Sequence, residues 1–298
     1  MPEVRSGLST SVTAGEPSPP TPSPATAGEE AHPGRGSPAF DHQQAEPNLP
    51  GIVVLASGSG TNLQALLDAT RVGTLACRVS AVVSDRPEAV ALRRAEAASI
   101  PAVAMPLAGR HDPRTRQTYD RLLAEAVAAY APDLVVLAGW MLVLSPAFLN
   151  RFPERVVNVH PALLPDAAQA TVSTSAGPQP AVRGARAVRE ALRLGLPVSG
   201  ATVHWVTPRV DEGWAILREE VPILAGDDEA TLHARIKSVE HRLLPRAVAL
   251  ALDRVGVASE RASVAADRVT GRPCAAEKGT ENVAGGDRSW LEVGPGAR

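Results

Sequence analysis

Gly51-Ile52-Val53-Val54-Leu55-Ala56-Ser57-Gly58-Ser59-Gly60-Thr61-Asn62 begins as an uninterrupted apolar run and ends in a Gly/Ser turn. A run without polar alternation reads as a strand buried on both faces, and the turn feeds a helix that Asn62 to Leu67 begins. The same unit recurs downstream. Val79 to Val83 is a strand followed by a helix from Pro87 to about Ala98, and Ala102 to Met105 is followed by a helix from about Pro113 to Ala129. Leu134 to Ala138 is the next strand, then a short Pro146-to-Phe152 helix and a strand over Val156 to Val159. Strands alternating with helices form right-handed crossovers on a parallel sheet. The fold class is α/β, a Rossmann-like, mostly parallel sheet with helices on both faces, whose ligands bind at the carboxyl ends of the strands.

After His160 the rhythm changes. Asp166 to Pro180 has no periodicity and reads as a loop, followed by a helix from about Arg186 to Leu194. Val198 to Val206 and Ala215 to Pro222 read as an antiparallel pair joined through Pro208 to Gly213. Asp228 to Asp253 reads as a closing helix, with apolar residues at Leu232, Ile236, Val239, Leu243 and Leu244.

The 298-residue chain divides into three segments. Residues 1–50 are rich in Pro, Ser, Thr, Gly and Ala without apolar periodicity, so they bury too little surface to offset ordering entropy and read as a disordered extension. Residues 258–298 read as a second disordered tail, leaving 51–257 as a single α/β domain of ordinary size. The first segment lacks the apolar core of a secretory signal, and Glu3, Glu16, Glu29 and Glu30 argue against a transit peptide.

A net charge of −2 with interspersed signs gives no footprint for nucleic acid, and no apolar stretch is long enough to span a bilayer. Cys77 and Cys274 are the two cysteines, far apart in sequence, and imply neither a disulfide framework nor a metal site. A soluble, cytoplasmic protein acting on small molecules is expected, with no metal; the sequence leaves its oligomeric state undetermined.

Three groups of residues could carry chemistry. The turn at Gly60, Thr61 and Asn62 follows a strand and opens a helix, so free backbone N–H groups and the positive helix end converge where an anion could sit. It matches neither the dinucleotide fingerprint nor a Walker loop, and a tight turn without a ligand is an equal reading. Asn158 and His160 alternate at a strand end and so share one side of the sheet. Taken alone, His160 reads as a hydrogen-bonded core imidazole, but Asn158 beside it makes two polar groups that need partners or a ligand. Asp211, in Arg209-Val210-Asp211-Glu212-Gly213, reads by itself as a turn aspartate.

Read together, these segments resemble the phosphoribosylglycinamide formyltransferase family from about Ile52 to Leu252. The resemblance rests on Ala56 to Gln64, on Ala131 to Met141, on Asn158-Val159-His160-Pro161-Ala162-Leu163-Leu164-Pro165, and on Gly200 to His204. Val210-Asp211-Glu212-Gly213 and Glu240-His241 continue it in order. It implies transfer of a formyl group from 10-formyltetrahydrofolate to the amine of 5'-phosphoribosylglycinamide, in purine synthesis. It further implies that Gly60, Thr61 and Asn62 hold the nucleotide phosphate, and that Glu240 holds the ribose hydroxyls. Asn158, His160 and Asp211 surround the formyl group, while Arg116, Met141, Leu142, Val143, Leu144 and Asn158 hold the folate. Asn158 and a protonated His160 are then expected to donate to the oxyanion, with Asp211 supporting the imidazolium.

The chain departs from the family pattern around the folate pocket. It inserts Asp166 to Pro180 and reads Arg183-Gly184-Ala185-Arg186 where the pattern has Pro-Gly-x-His. Trp214, Arg218 and Leu142 stand where Pro, Gln and Arg are usual. The nearest alternatives are a formyltetrahydrofolate deformylase and a methionyl-tRNA formyltransferase, and the Ser-Gly-Ser-Gly-Thr-Asn turn sides against both. An alternative of another class is a non-catalytic homologue that binds nucleotide or folate.

Overall fold

In the computed structural model of the protein, residues 49–107, 113–166 and 168–270 are described. The strands are β1 (Gly51–Leu55), β2 (Arg78–Ser84), β3 (Ala102–Ala104), β4 (Leu134–Leu137), β5 (Val156–His160), β6 (Thr171–Thr174), β7 (Gly177–Pro180), β8 (Val198–Trp205) and β9 (Ala215–Pro222). The helices are α1 (Thr61–Arg71), α2 (Val90–Ala97), α3 (Pro113–Ala128), α4 (Pro146–Leu149), α5 (Ala187–Arg193) and α6 (Glu229–Thr270).

Seven strands form one sheet in the order β3-β2-β1-β4-β5-β8-β9. Neighbours from β3 through β5 are parallel, whereas β8 pairs antiparallel with both β5 and β9. Alternate residues of β1 explain why the run is apolar throughout. Ile52 and Val54 enter a core with Leu63 of α1, Ala91 of α2 and Leu232 of α6, while Val53 and Leu55 enter another with Leu123 of α3 and Phe148 of α4. Both faces are covered, as the sequence predicts. The chain winds outward from β1 to β3 and returns to add β4 on the other side, so a crevice opens beyond the carboxyl ends of β1 and β4.

Two segments differ from the sequence reading. The Asp166-to-Pro180 insertion contains the antiparallel hairpin β6–β7, with Thr171 paired to Pro180 and Thr174 to Gly177. Tertiary anchors supply what its weak pattern lacks: Val172 packs with Leu163 and Val198, and Gln179 Nε2 donates to the Val198 carbonyl at 3.0 Å. The closing helix also continues past residue 257 to Thr270, so residues 258–270 are helical rather than tail. Ala258, Glu260, Arg261, Ala262, Ala265 and Ala266 favour a helix intrinsically even without an apolar stripe. Residues 1–48 and 271–298, which hold most of the expected tails together with Cys274, lie outside the described residues.

Candidate active site

A cleft of about 540 Å³ lies at the carboxyl edge of the sheet, lined from the loops after β1, β4 and β5, the β8–β9 loop and α6. The loops after β1 and β4 are joined: Ser57 N donates to the Gly139 carbonyl and Met141 N to Ser57 Oγ, both at 3.0 Å.

The turn at one end is fixed by close approach. Gly60 has φ +68°, and a Cβ there would lie 2.8 Å from Ala91 Cα, so only glycine fits without displacement. No side chain caps α1, which leaves its first-turn N–H groups directed at the cleft end. Arg94 braces the turn from α2, donating through Nε to the Ser59 carbonyl at 2.9 Å. Asn62 Nδ2 donates to Glu240 Oε2 at 2.9 Å, bringing together two residues 178 positions apart. Burial raises the Glu240 pKa, partly offset by the Asn62 bond. Arg86, His233 and Lys237 also line the cleft, although the sequence reading passed over them. Lys237 and Glu240 are three residues apart on α6, a spacing that places both on one helix face and could have drawn attention to the lysine.

The sequence-predicted polar set comes together at the sheet's antiparallel junction. Register pairs Asn158 of β5 with His204 of β8, and the side chains meet, Asn158 Nδ2 lying 3.1 Å from His204 Nε2. His204 Nδ1 lies 3.0 Å from the Trp205 carbonyl and donates to it, which leaves Nε2 to meet the Asn158 amide. The other N–H of that amide then remains for a ligand. In sequence His204 is only the end of the Gly200-to-His204 segment; the register brings it opposite Asn158.

Asp211 occupies the β8–β9 loop with φ +55°, a conformation costly for a non-glycine residue and held by its surroundings. Gly213 permits this path, because a Cβ there would fall 1.7 Å from the Trp205 carbonyl oxygen. The Asp211 carboxylate accepts from Gly184 N at 2.7 Å and lies 3.5 Å from both His160 Nδ1 and His204 Nε2. Burial opposes its ionisation. The two histidine rings and the Gly184 N–H outweigh burial and hold the carboxyl at about 2.

Two influences on His160 oppose each other. Burial is the largest influence and lowers its pKa, with the Asp211 carboxylate acting in the opposite direction. Its Nε2 is 2.9 Å from the Val182 carbonyl and so carries a proton, while Nδ1 faces Asp211. The ring lines the cleft and is placed to accept a proton at Nδ1 beside a carboxylate.

The apolar wall expected for the folate is present: Met141, Leu142, Val143 and Leu144 all line the cleft, with Met141 and Val143 exposed. Arg116 is placed differently. Among the described residues it is not part of the cleft lining; its Nε lies 3.2 Å from Asp120 Oδ1 and its Nη2 donates to the Val143 carbonyl. Asp120 also accepts from Ser145 N at 2.9 Å, so this pair braces the wall from behind. Arg218 is likewise committed, donating to the Leu164 carbonyl at 2.8 Å.

A helix-opening glycine turn and an amide–imidazole–carboxylate set share one cleft at the carboxyl edge of the sheet, the arrangement of an α/β enzyme. The chain belongs to the formyl transferase family, whose pattern matches residues 51–248. It is 46% identical over 198 residues to a phosphoribosylglycinamide formyltransferase of Mycobacterium tuberculosis, covering 66% of this chain and 83% of that protein. It is 40% identical to the Escherichia coli protein of that name, covering 65% and 83%. The glycinamide ribonucleotide transformylase 1 structure from Symbiobacterium toebii superposes with a TM-score of 0.61 at 42% identity, covering 69% of this chain and 88% of that one.

Proposed function

We propose that this formyltransferase moves the formyl group of 10-formyltetrahydrofolate to the amine of 5'-phosphoribosylglycinamide, a reaction of purine biosynthesis. The observation that carries the reading is one continuous cleft with the Gly60–Asn62 turn at one end, the Asn158–His160–Asp211 set in its lining and an apolar wall at residues 141–144. The uncapped α1 N-terminus, with Arg86 and Lys237 in the same cleft, suits a phosphate; Glu240 suits the ribose hydroxyls. The exposed Met141 and Val143 suit the flat apolar body of a folate.

In the reaction the amine nitrogen bonds to the formyl carbon, the bond from that carbon to N10 of the folate breaks, and one proton passes from the amine to N10. Asn158 donates its second amide N–H to the formyl oxygen as negative charge develops there. His160 accepts the amine proton at Nδ1, where Asp211 stabilises the resulting imidazolium, and releases it for N10. A burial-lowered pKa makes that release easier.

The test is acceptor dependence. Purified protein with 10-formyltetrahydrofolate should release tetrahydrofolate only when phosphoribosylglycinamide is supplied, with formylated nucleotide formed one for one. Release with water alone would assign a deformylase. Formylation of methionyl-tRNA in preference to the nucleotide would assign the other related activity, and binding of either small molecule without turnover a non-catalytic homologue.

A further inference from the structure

Three consecutive residues after the β6–β7 hairpin each touch the proton-transfer pair. The Val182 carbonyl accepts from His160 Nε2, the Arg183 guanidinium donates through Nε to the Asp211 carbonyl at 3.1 Å, and the Gly184 N–H donates to the Asp211 carboxylate. Arg183 does more than its neighbours. Its Nη2 also donates to the Gln169 carbonyl at 2.7 Å, so one planar fork joins the loop carrying Asp211 to the base of the inserted hairpin. The hairpin is itself fixed to the sheet: Gln179 donates to Val198, and Ser175 donates through N, at 2.9 Å, and through Oγ to Glu220 of β9.

We infer that Arg183 is a positioning residue for formyl transfer, holding the strained Asp211 backbone against the inserted hairpin so that the carboxylate faces the His160 ring. The positive φ of Asp211 is the conformation that requires such support. Arg183 has a second consequence. The charged groups acting on the buried His160 ring are Asp211, which favours the imidazolium, and His204 and Arg183, which oppose it. Arg183 thus holds the direction of the carboxylate and adds the smallest of the influences that favour loss of the ring's proton, burial being the largest.

The inference rests on the proposed activity, and two variants test it separately from that activity. Arg183→Lys keeps the charge but breaks the fork; Arg183→Met removes both. Each should lower kcat roughly tenfold with KM for phosphoribosylglycinamide within about twofold, because misplacement of a reacting group costs turnover more than binding. Only Arg183→Met should move the His160 pKa upward, read by imidazole NMR on the full chain, a measurement independent of turnover. Wild-type kcat in Arg183→Lys would overturn the positioning role even if Arg183→Met fails to fold. An inactive wild type would refute the proposed activity instead, and the NMR shift would then decide the inference: an unmoved His160 pKa in Arg183→Met, or equal shifts in both variants, would overturn it.

Discussion

The Asp211 carboxylate and the His160 ring face each other at 3.5 Å, Oδ2 to Nδ1, with both side chains almost wholly buried. The other ring nitrogen is committed to the Val182 carbonyl, so Nδ1 is where the ring gains or loses charge. Asp211→Asn keeps the shape of the pair and removes the stabilising charge. It should lower kcat by on the order of 10²-fold or more while leaving KM for the nucleotide nearly unchanged, measured at saturating folate. Because the two residues share one step, a His160→Ala/Asp211→Asn double variant should lose less than the sum of the single losses.

The protonation of His160 also affects stability. Its pKa is lowered in the fold, chiefly by burial, so below about 6.5 the unfolded chain takes up a proton that the folded chain resists. This contribution is fully present above that pH and is lost as pH falls. His233 and His241, also lowered by burial, act with the same sign. Denaturant unfolding followed from pH 8 to pH 5 should therefore show stability declining toward acid, and His160→Asn should reduce the slope. A steeper slope in the variant would contradict this account of the ring.

Gly60 is tested by structure as much as by chemistry. Gly60→Ala puts a Cβ against the Ala91 backbone at a positive φ, and should cost on the order of 2 kcal/mol of stability. Thermal unfolding measures that cost. Nucleotide affinity should fall too, since the turn that presents the helix N–H groups must shift.

At the nucleotide end, Glu240→Gln retains a hydrogen-bonding group but removes the carboxylate that receives Asn62. KM for phosphoribosylglycinamide should rise by about tenfold with kcat altered far less, the pattern of lost ground-state binding. Lys237→Met should act in the same direction through the phosphate. Steady-state kinetics with the nucleotide varied would separate these effects from those of Asp211→Asn.

Much of this architecture was legible because β1, β4 and β5 are buried on both faces and must be apolar throughout, and because Asn158 and His160 interrupt that rule two residues apart. What was not legible depends on contacts distant in sequence. The β6–β7 hairpin has Pro178 and Pro180 in one strand and a single buried valine in the other, and its stability comes from Leu163, Val198 and Glu220. His204 sits in an eight-residue strand buried at every position, where it reads as core until the register sets it opposite Asn158. Arg116 could be matched to a folate position by resemblance, but nothing in its sequence context showed that Asp120 and the Val143 carbonyl would occupy its guanidinium. Burial likewise acts against the expected charge of His160, since desolvation depends on the whole fold rather than on neighbouring residues.

In the proposed reaction Asn158 and the His160–Asp211 pair together promote formyl transfer to phosphoribosylglycinamide. A single-turnover reaction with 10-formyltetrahydrofolate labelled in the formyl carbon, in excess nucleotide, tests it most directly. The wild type should place the label on the nucleotide amide, and Asn158→Ala should do so on the order of 10²- to 10³-fold more slowly, the cost of one oxyanion donor. Label appearing as free formate, or transfer at wild-type rate in Asn158→Ala, would contradict it.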